Sequence, residues 1–396
     1  MQNTFKKTLL ATAAASLIAG AAHADIKVGV ILGFTGPIES LTPAMADSAE
    51  LAFDEASNSG LLLGGDSIVS VRGDSTCVDA AAATAAAERL VNSDGVVAIM
   101  GADCSGVTGA IAKNVGAPNG VAMISPSATS PGLTSIDDNG VFFRTAPSDA
   151  RQGVVLAGIV MARGIDTVAL TYENGDYGKG LADAFATAYR AAGGTITMET
   201  AHENGKADYS AEVGALSASG AADLVVLGYI DQGGRGIIQA SLDSGAFDRF
   251  ILGDGMIGDS LLDVDGGIEG TFGTLPGSES DGAAMFNDVA AAAGVDGSLP
   301  YAAQSYDAGA LLALAMQAAG SADRAGIVAN ISNVANAPGV IILPGELAKG
   351  LQILADGGEV NYEGATNVEF DENGDPAGSY KELEVSGGAL STVKVH

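Results

Sequence analysis

The chain has 396 residues, too many for one ordinary hydrophobic core, so two lobes are expected. Its formal charge of −30 argues against nucleic-acid binding, because phosphate contacts need Lys and Arg. The same acidity poses a question: an anionic ligand would have to find a local positive site inside a negative envelope.

The first 24 residues stand apart. Lys6-Lys7 precede an apolar stretch from Leu9 to Ala19, and Ala22-His23-Ala24 forms a small-x-small cleavage site before Asp25. They read as a secretory signal peptide cleaved after Ala24. The apolar core is too short for a membrane anchor, and no Cys follows the cleavage site to carry a lipid. Cleavage removes Lys6 and Lys7 but no acid, which takes the charge from −30 to −32.

Asp25 to Leu32 is a strand, followed by the turn-rich loop Gly33–Pro37. A helix is expected from Pro43 to Ser57, a strand from Ser67 to Asp74, and an Ala-rich helix from Asp79 to Val91 with Asp79 as N-cap. The stretch Met100–Thr134 is central. Val96–Met100 and Val121–Ile124 are short apolar runs, and between them Ser105–Val115 has a helical pattern with Ser105 as its N-cap. Two parallel strands would then end in hydroxyl-rich loops. Open α/β sheets bind ligands at the carboxyl ends of their strands, and a helix N-terminus there favours an anion. This stretch is expected to hold a small carboxylate.

Val141–Thr145 is a strand or crossover, and Asp149–Met161 a helix. A second alternation follows, with strands at Thr167–Tyr172, Thr195–Glu199, Leu224–Gly228 and Phe250–Leu252. Its helices fall at Gly178–Ala192, Tyr209–Ser217 and Gly233–Ser244. Such β-α repetition signals parallel sheets with helices on both faces. Thr271–Gly277 reads as a second crossover, and helices follow at Gly282–Ala293, Pro300–Ala319 and Arg324–Val334. The tail reads as two extended segments, Val368–Phe370 and Tyr380–Val385, around a turn.

Several motifs in the chain lack a residue that their chemistry requires. Asp371, Asn373, Asp375 and Glu382 mimic a calcium loop, but Pro376 stands where that loop requires Gly. Gly253–Gly258 fits G-x-G-x-x-G, yet the helix after it is short and no acid follows about 20 residues on. No G-x-S-x-G occurs, and His202 is the only internal His after cleavage, so a hydrolase triad is not supported. The same scarcity of ligands argues against a metal site. No cofactor and no enzymatic activity are expected. Cys77 and Cys104 are the only cysteines; in an exported chain an even pair suggests one disulfide, with two buried thiols as the alternative.

Taken in order, the motifs D-I-K-V-G-V, F-T-G-P, I-S-P-S-A-T-S-P-G-L-T, Y-E-N-G-D-Y-G-K-G-L-A and F-D-E-N-G-D, with one Cys after the second strand and another before Ser-Gly, are distinctive. The chain resembles the periplasmic leucine/isoleucine/valine-binding proteins that serve ABC importers, and the resemblance spans nearly all of Asp25 to Val385. It implies the type I periplasmic binding fold: two doubly wound parallel-sheet lobes joined by three crossover strands, closing on a ligand like a hinged clamp. Lobe one would comprise 25–143 and 277–366, and lobe two 144–276 with the C-terminal strands 367–396.

The resemblance also implies the Cys77–Cys104 disulfide. It puts the ligand carboxylate on Ser105, Ser127 and Thr129, and the opposing wall on Tyr177 and Tyr229. The ammonium-binding acid falls on Asp254, where the family more often has Glu. The first loop departs from the pattern: Gly36-Pro37-Ile38-Glu39-Ser40-Leu41 carries no aromatic. If Glu39 faces the cleft, a ligand with an extra polar or cationic group is expected; if it stays in water, it has no such role. The expected partners are an amino acid or similar amphoteric molecule and an inner-membrane ABC permease, with the protein acting as a periplasmic monomer. The alternative is an extracytoplasmic sensor of the same fold for an amide, polyamine or other nitrogenous ligand.

Overall fold

The computed structural model describes residues 24–396, so all but the last residue of the expected signal peptide lies outside the described residues. Five strands form the first sheet: β1 (Asp25–Leu32), β2 (Ser67–Asp74), β3 (Ala98–Gly101), β4 (Ala122–Ser125) and β5 (Phe142–Arg144). They are all parallel, in the order β2-β1-β3-β4-β5. β1 lies inside this sheet, with helices on both faces. Its sequence is accordingly apolar almost without alternation, and five consecutive residues from Val28 are buried.

The second sheet holds β6 (Thr167–Glu173), β7 (Thr195–His202), β8 (Asp223–Leu227), β9 (Phe250–Leu252) and β10 (Phe272–Pro276). Two short strands, β11 (Val340–Ile342) and β12 (Val360–Tyr362), form a separate parallel ribbon. Finally β13 (Tyr380–Ser386) and β14 (Ala389–Val395) join the second sheet, giving the order β14-β13-β10-β9-β8-β6-β7. The pairs from β6 to β10 are parallel, whereas β13 runs antiparallel to both β10 and β14. The parallel part of each sheet is wound identically. The order 2-1-3-4-5 of the first reappears as 7-6-8-9-10 in the second, although the two halves share little sequence.

The chain passes between the sheets three times: after Arg144, after Pro276, and between Thr366 and Tyr380. On its return the segment after Pro276 packs against the first sheet's layer. The helix Ala302–Ala319 is buried along nearly its whole length and lies against Thr42–Asn58. Gly309 permits that approach, since a Cβ there would sit 2.7 Å from the Ala49 carbonyl oxygen. Arg324 then ties the returning segment down by donating to the carbonyls of Val91, Val96 and Asn119.

Two expectations need correction. Ser105 is the first residue of its helix (Ser105–Ile111), not the cap; Cys104 occupies that position with an extended backbone and no side-chain cap bond. The tail segments around Asp371–Pro376 meet only at one bridge, Phe370 to Pro376, and the real C-terminal hairpin is β13–β14. The segment 340–362, for which no element was expected, contains β11, the helix Leu347–Ala355 and β12.

Candidate functional site

Each parallel sheet has a point where its strand order reverses, and loops at the carboxyl ends of strands beside that point form a natural crevice. The two crevices face each other. Between them lies a cavity of about 20 Å³ lined by Ile38, Leu41, Asp103, Cys104, Ser105 and Ser127 on one side and by Tyr177, Tyr229, Asp254 and Gly255 on the other, with Tyr301 reaching in from the returning segment after Pro276.

The first wall is organised by Asp103, which is 1 % exposed. Its carboxylate accepts from the Gly33 N–H (2.6 Å), the Ser75 hydroxyl (3.0 Å) and the Cys104 N–H (3.0 Å), joining the ends of β1, β2 and β3. Burial pushes its carboxyl above the usual range, and these donors pull it back. The Cys77–Cys104 disulfide is formed beside it. The Ser105 hydroxyl accepts from the Ser130 N–H at 3.1 Å, and its own proton remains to be donated. The Ser127 hydroxyl donates to the Asp103 carbonyl at 3.0 Å. Thr129 is fully buried, and its hydroxyl has no partner among the described residues.

The second wall is built on aromatic stacking. Tyr177, in the first turn of the helix Asp176–Ala191, stacks on Tyr229 with ring centroids 5.0 Å apart and planes 22° apart. Its hydroxyl donates to Asp254 Oδ1 at 2.6 Å and accepts from the Gly255 N–H at 2.9 Å. The Tyr301 hydroxyl donates to the other Asp254 oxygen. Burial, followed by the nearby Asp254 charge, pushes the Tyr177 and Tyr301 phenols well above their ordinary pKa, so both stay neutral donors.

Asp149 completes the electrostatics. It opens the helix Asp149–Ala162, is fully buried, and neither carboxylate oxygen has a hydrogen-bond partner among the described residues. Its N–H donates to the Thr129 carbonyl at 2.8 Å. Burial raises its pKa well above the ordinary Asp value, and the charge of Asp254 adds to the rise. The Thr129 hydroxyl, close by but outside hydrogen-bond geometry, and Arg144 pull weakly the other way. Asp254, 1 % exposed, is also raised by burial, with the Tyr177 and Tyr301 donors opposing. Two buried acids thus share one region, and the only buried Lys or Arg among the described residues, Arg144, is bonded to Asp375. Such an arrangement favours a positive group placed between the acids.

The structure therefore brings Ser105, Ser127, Tyr177, Tyr229 and Asp254 around the cavity, while Thr129 does not line it and lies buried behind, bonded through its carbonyl to the Asp149 N–H. Glu39 does not join them. It is exposed, keeping its hydration, and its carboxylate accepts from the Gly36 N–H at 3.3 Å. The loop instead turns Ile38 and Leu41 into the cavity. Asp149 and Tyr301 were missed. Asp149 left a trace in the doublet Ser148-Asp149: both residues can cap a helix, Ser148 does so by accepting from the Ala150 N–H, and the spare acid is left for another role. Tyr301 had no local signal, because it reaches Asp254 from a distant segment.

A much larger groove, about 870 Å³, runs outside the cavity between Gly109, Leu133 and Ile136 on one side and Lys179, Gly180 and Thr187 on the other. No buried unpaired polar atom lines it, so it lacks the convergent groups of a polar-ligand site. Among the described residues no cluster of three or more His, Cys, Asp or Glu could hold a metal ion, and no helix is long and apolar enough to cross a membrane.

Two identically wound α/β lobes with polar groups converging on the crevice between them define the architecture of a ligand-binding protein. Comparison with known sequences makes this specific. Residues 25–352 match the family model described as periplasmic binding protein. The Leu/Ile/Val-binding protein BraC3 of Rhizobium johnstonii is 32% identical over 329 residues, covering 82% of this chain and 88% of the relative. Leu/Ile/Val-binding protein homolog 1 of Brucella melitensis is 33% identical over 334 residues, covering 80% and 86%. Among solved structures, the branched-chain amino acid substrate-binding protein LivJ of Streptococcus pneumoniae in complex with isoleucine superposes with a TM-score of 0.77. It shares 23% identity, with 94% of this chain and 99% of that one covered. A benzoate-bound solute-binding protein of R. palustris superposes at 0.73 with 17% identity, covering 94% and 96%. The chain belongs to the periplasmic binding protein family, a family of binding proteins and not of enzymes.

Proposed function

We propose that this protein captures a free amino acid, branched-chain or of similar size, in the periplasm and delivers it to an inner-membrane ABC permease. It is a monomer released by cleavage after Ala24. Lobe one would be 25–143 with 277–366, and lobe two 144–276 with 367–396. The hydroxyls of Ser105, Ser127 and Thr129 hold the ligand's carboxylate. Asp254 and Asp149 hold its ammonium, framed by Tyr177 and Tyr229, while Ile38 and Leu41 offer apolar contact to the side chain.

The observation that carries this reading is the buried Asp149 carboxylate, without a partner and beside Asp254, next to the equally unpartnered Thr129 hydroxyl. One acceptor pair and one hydroxyl loop suit the two ends of a zwitterion. A local helix end and oriented hydroxyls also answer the problem of net charge, because they act at short range in a dry site.

The cavity of about 20 Å³ has room for little more than a water molecule. A leucine-sized ligand therefore needs the lobes to part. Contacts between the walls that opening would break include Ser130 Oγ donating to the Asp176 carbonyl (2.9 Å) and the Ser40 N–H donating to Asp231 (2.8 Å). Ligand binding then stabilises closure by contributing contacts to both walls at once.

Thermal unfolding against a panel of amino acids, amides, polyamines and aromatic acids tests the reading. A ligand at a hundredfold excess over its Kd stabilises by about 2.7 kcal/mol. Leucine, isoleucine or valine should raise the Tm; a panel in which no amino acid does so rejects the proposal.

A further inference from the structure

Arg144 ends β5 and is fully buried. Its Nε and one terminal nitrogen fork onto the two carboxylate oxygens of Asp375, both at 2.6 Å. The same terminal nitrogen reaches Thr134 Oγ1 at 2.8 Å, and Thr134 in turn donates to Asp375. The other terminal nitrogen donates to two carbonyls, Ala128 at 3.1 Å and Ser130 at 2.9 Å. Those two carbonyls flank Thr129. Asp375 belongs to the turn that superficially resembles a calcium loop. Its acids have internal roles: Asp371 accepts from the N–H groups of Asn373 and Asp375, and the Gly374 carbonyl accepts from the Arg144 N–H.

We infer that Arg144, held by Asp375, is a positioning residue for recognition of the ligand carboxylate. Carbonyl oxygens repel an anion, whereas N–H and hydroxyl groups attract it. By drawing the Ala128 and Ser130 oxygens onto its guanidinium, Arg144 takes the two carbonyl acceptors that flank Thr129 out of play. It also holds the loop where the Ser130 N–H meets Ser105. Because Asp375 neutralises the guanidinium, the device works through geometry more than through net charge. It makes the shape of the ligand loop depend on Asp375, 231 positions beyond Arg144, on the third passage between the sheets. The inference rests on the carboxylate role of that loop proposed above.

Two variants test it. Arg144→Met with Asp375→Leu removes both charges together, so no unpaired charge stays buried. Arg144→Lys keeps the charge but cannot hold the fork and both carbonyls at once. Each is titrated with L-leucine and with L-leucinamide, which keeps the ammonium and lacks the carboxylate. Amide hydrogen exchange is followed on the ligand-free proteins.

In both variants leucine affinity should fall roughly tenfold or more while leucinamide affinity stays within about threefold, and the Ser130 amide should exchange at least about tenfold faster. An unchanged leucine-to-leucinamide ratio in both variants overturns the inference even if exchange is faster, since a purely structural tie would loosen the loop without changing what it recognises. Unchanged Ser130 exchange overturns it too. If the wild-type protein binds neither compound, the amino-acid reading itself fails, and the exchange measurement still decides whether Arg144 positions the loop.

Discussion

Asp149→Asn separates binding from stability. In the ligand-free protein Asp149 and Asp254 are both buried, with no base between them. The folded pKa of Asp149 lies well above its unfolded value, so in the intervening window the unfolded chain binds fewer protons than the folded one. Stability is then lost as pH rises from about 4 through the folded pKa, by at most about 1.4 kcal/mol per unit. Asn removes that loss, and its advantage should grow as pH increases. Binding should move the opposite way. One charge-assisted hydrogen bond contributes about 1.5–3 kcal/mol, which corresponds to a roughly 10- to 150-fold loss of amino-acid affinity. Calorimetric titration with leucine measures the second effect, and urea unfolding of the ligand-free protein at pH 5, 7 and 9 measures the first. A variant that binds as tightly as wild type, or that loses stability relative to it as pH rises, would refute the reasoning.

Other perturbations test the fold around the site. His202 is buried and held neutral, with burial pushing its pKa down from 6.5 to about 4. Between those values the unfolded chain binds more protons, so stability should fall by about 3 kcal/mol as pH drops from 6.5 to 4, at about 1.4 kcal/mol per unit. His202→Gln should flatten that part of an acid-unfolding curve. Replacing both Cys77 and Cys104 by Ser should lower unfolding free energy by about 3.5 kcal/mol on the chain-entropy model, read from urea denaturation. Asp79 accepts from the N–H groups of Ala81 and Ala82, and Asp79→Ala should cost about 1 kcal/mol in the same assay without altering ligand affinity.

The central strands buried on both faces were legible, because parallel central strands need near-continuous apolar runs: β1 and β9 have the limits read from sequence. The edge strand β2 and the helix Gly233–Ser244 also have the limits read from sequence. What escaped was short or exposed. β11 and β12 have three residues each, too few to show a period, and Val340 and Ile341 on β11 are exposed. β14 is an edge strand with little burial, yet the dipeptide Gly387-Gly388, both at positive φ, was the available hairpin signal. At the site, Ser105 was found for a partly wrong reason. A hydroxyl before an apolar run reads as a cap, but the extended residue is Cys104, so the Ser105 hydroxyl accepts from Ser130 instead. Tyr301 and the Arg144–Asp375 pair join segments far apart in the chain, and no local pattern records such contacts.

The central claim is that the crevice grips both ends of a zwitterion. Calorimetric titration of the wild-type protein with leucine, 3-methylbutylamine and 4-methylpentanoate tests it most directly, since the two analogues each lack one charged group. Leucine should bind, and each analogue should bind more weakly by roughly two to four orders of magnitude, as expected for losing two charge-assisted hydrogen bonds at one end. Binding of 4-methylpentanoate as tight as that of leucine would contradict the ammonium site at Asp149 and Asp254. Equally tight binding of the amine would contradict the carboxylate site at Ser105, Ser127 and Thr129.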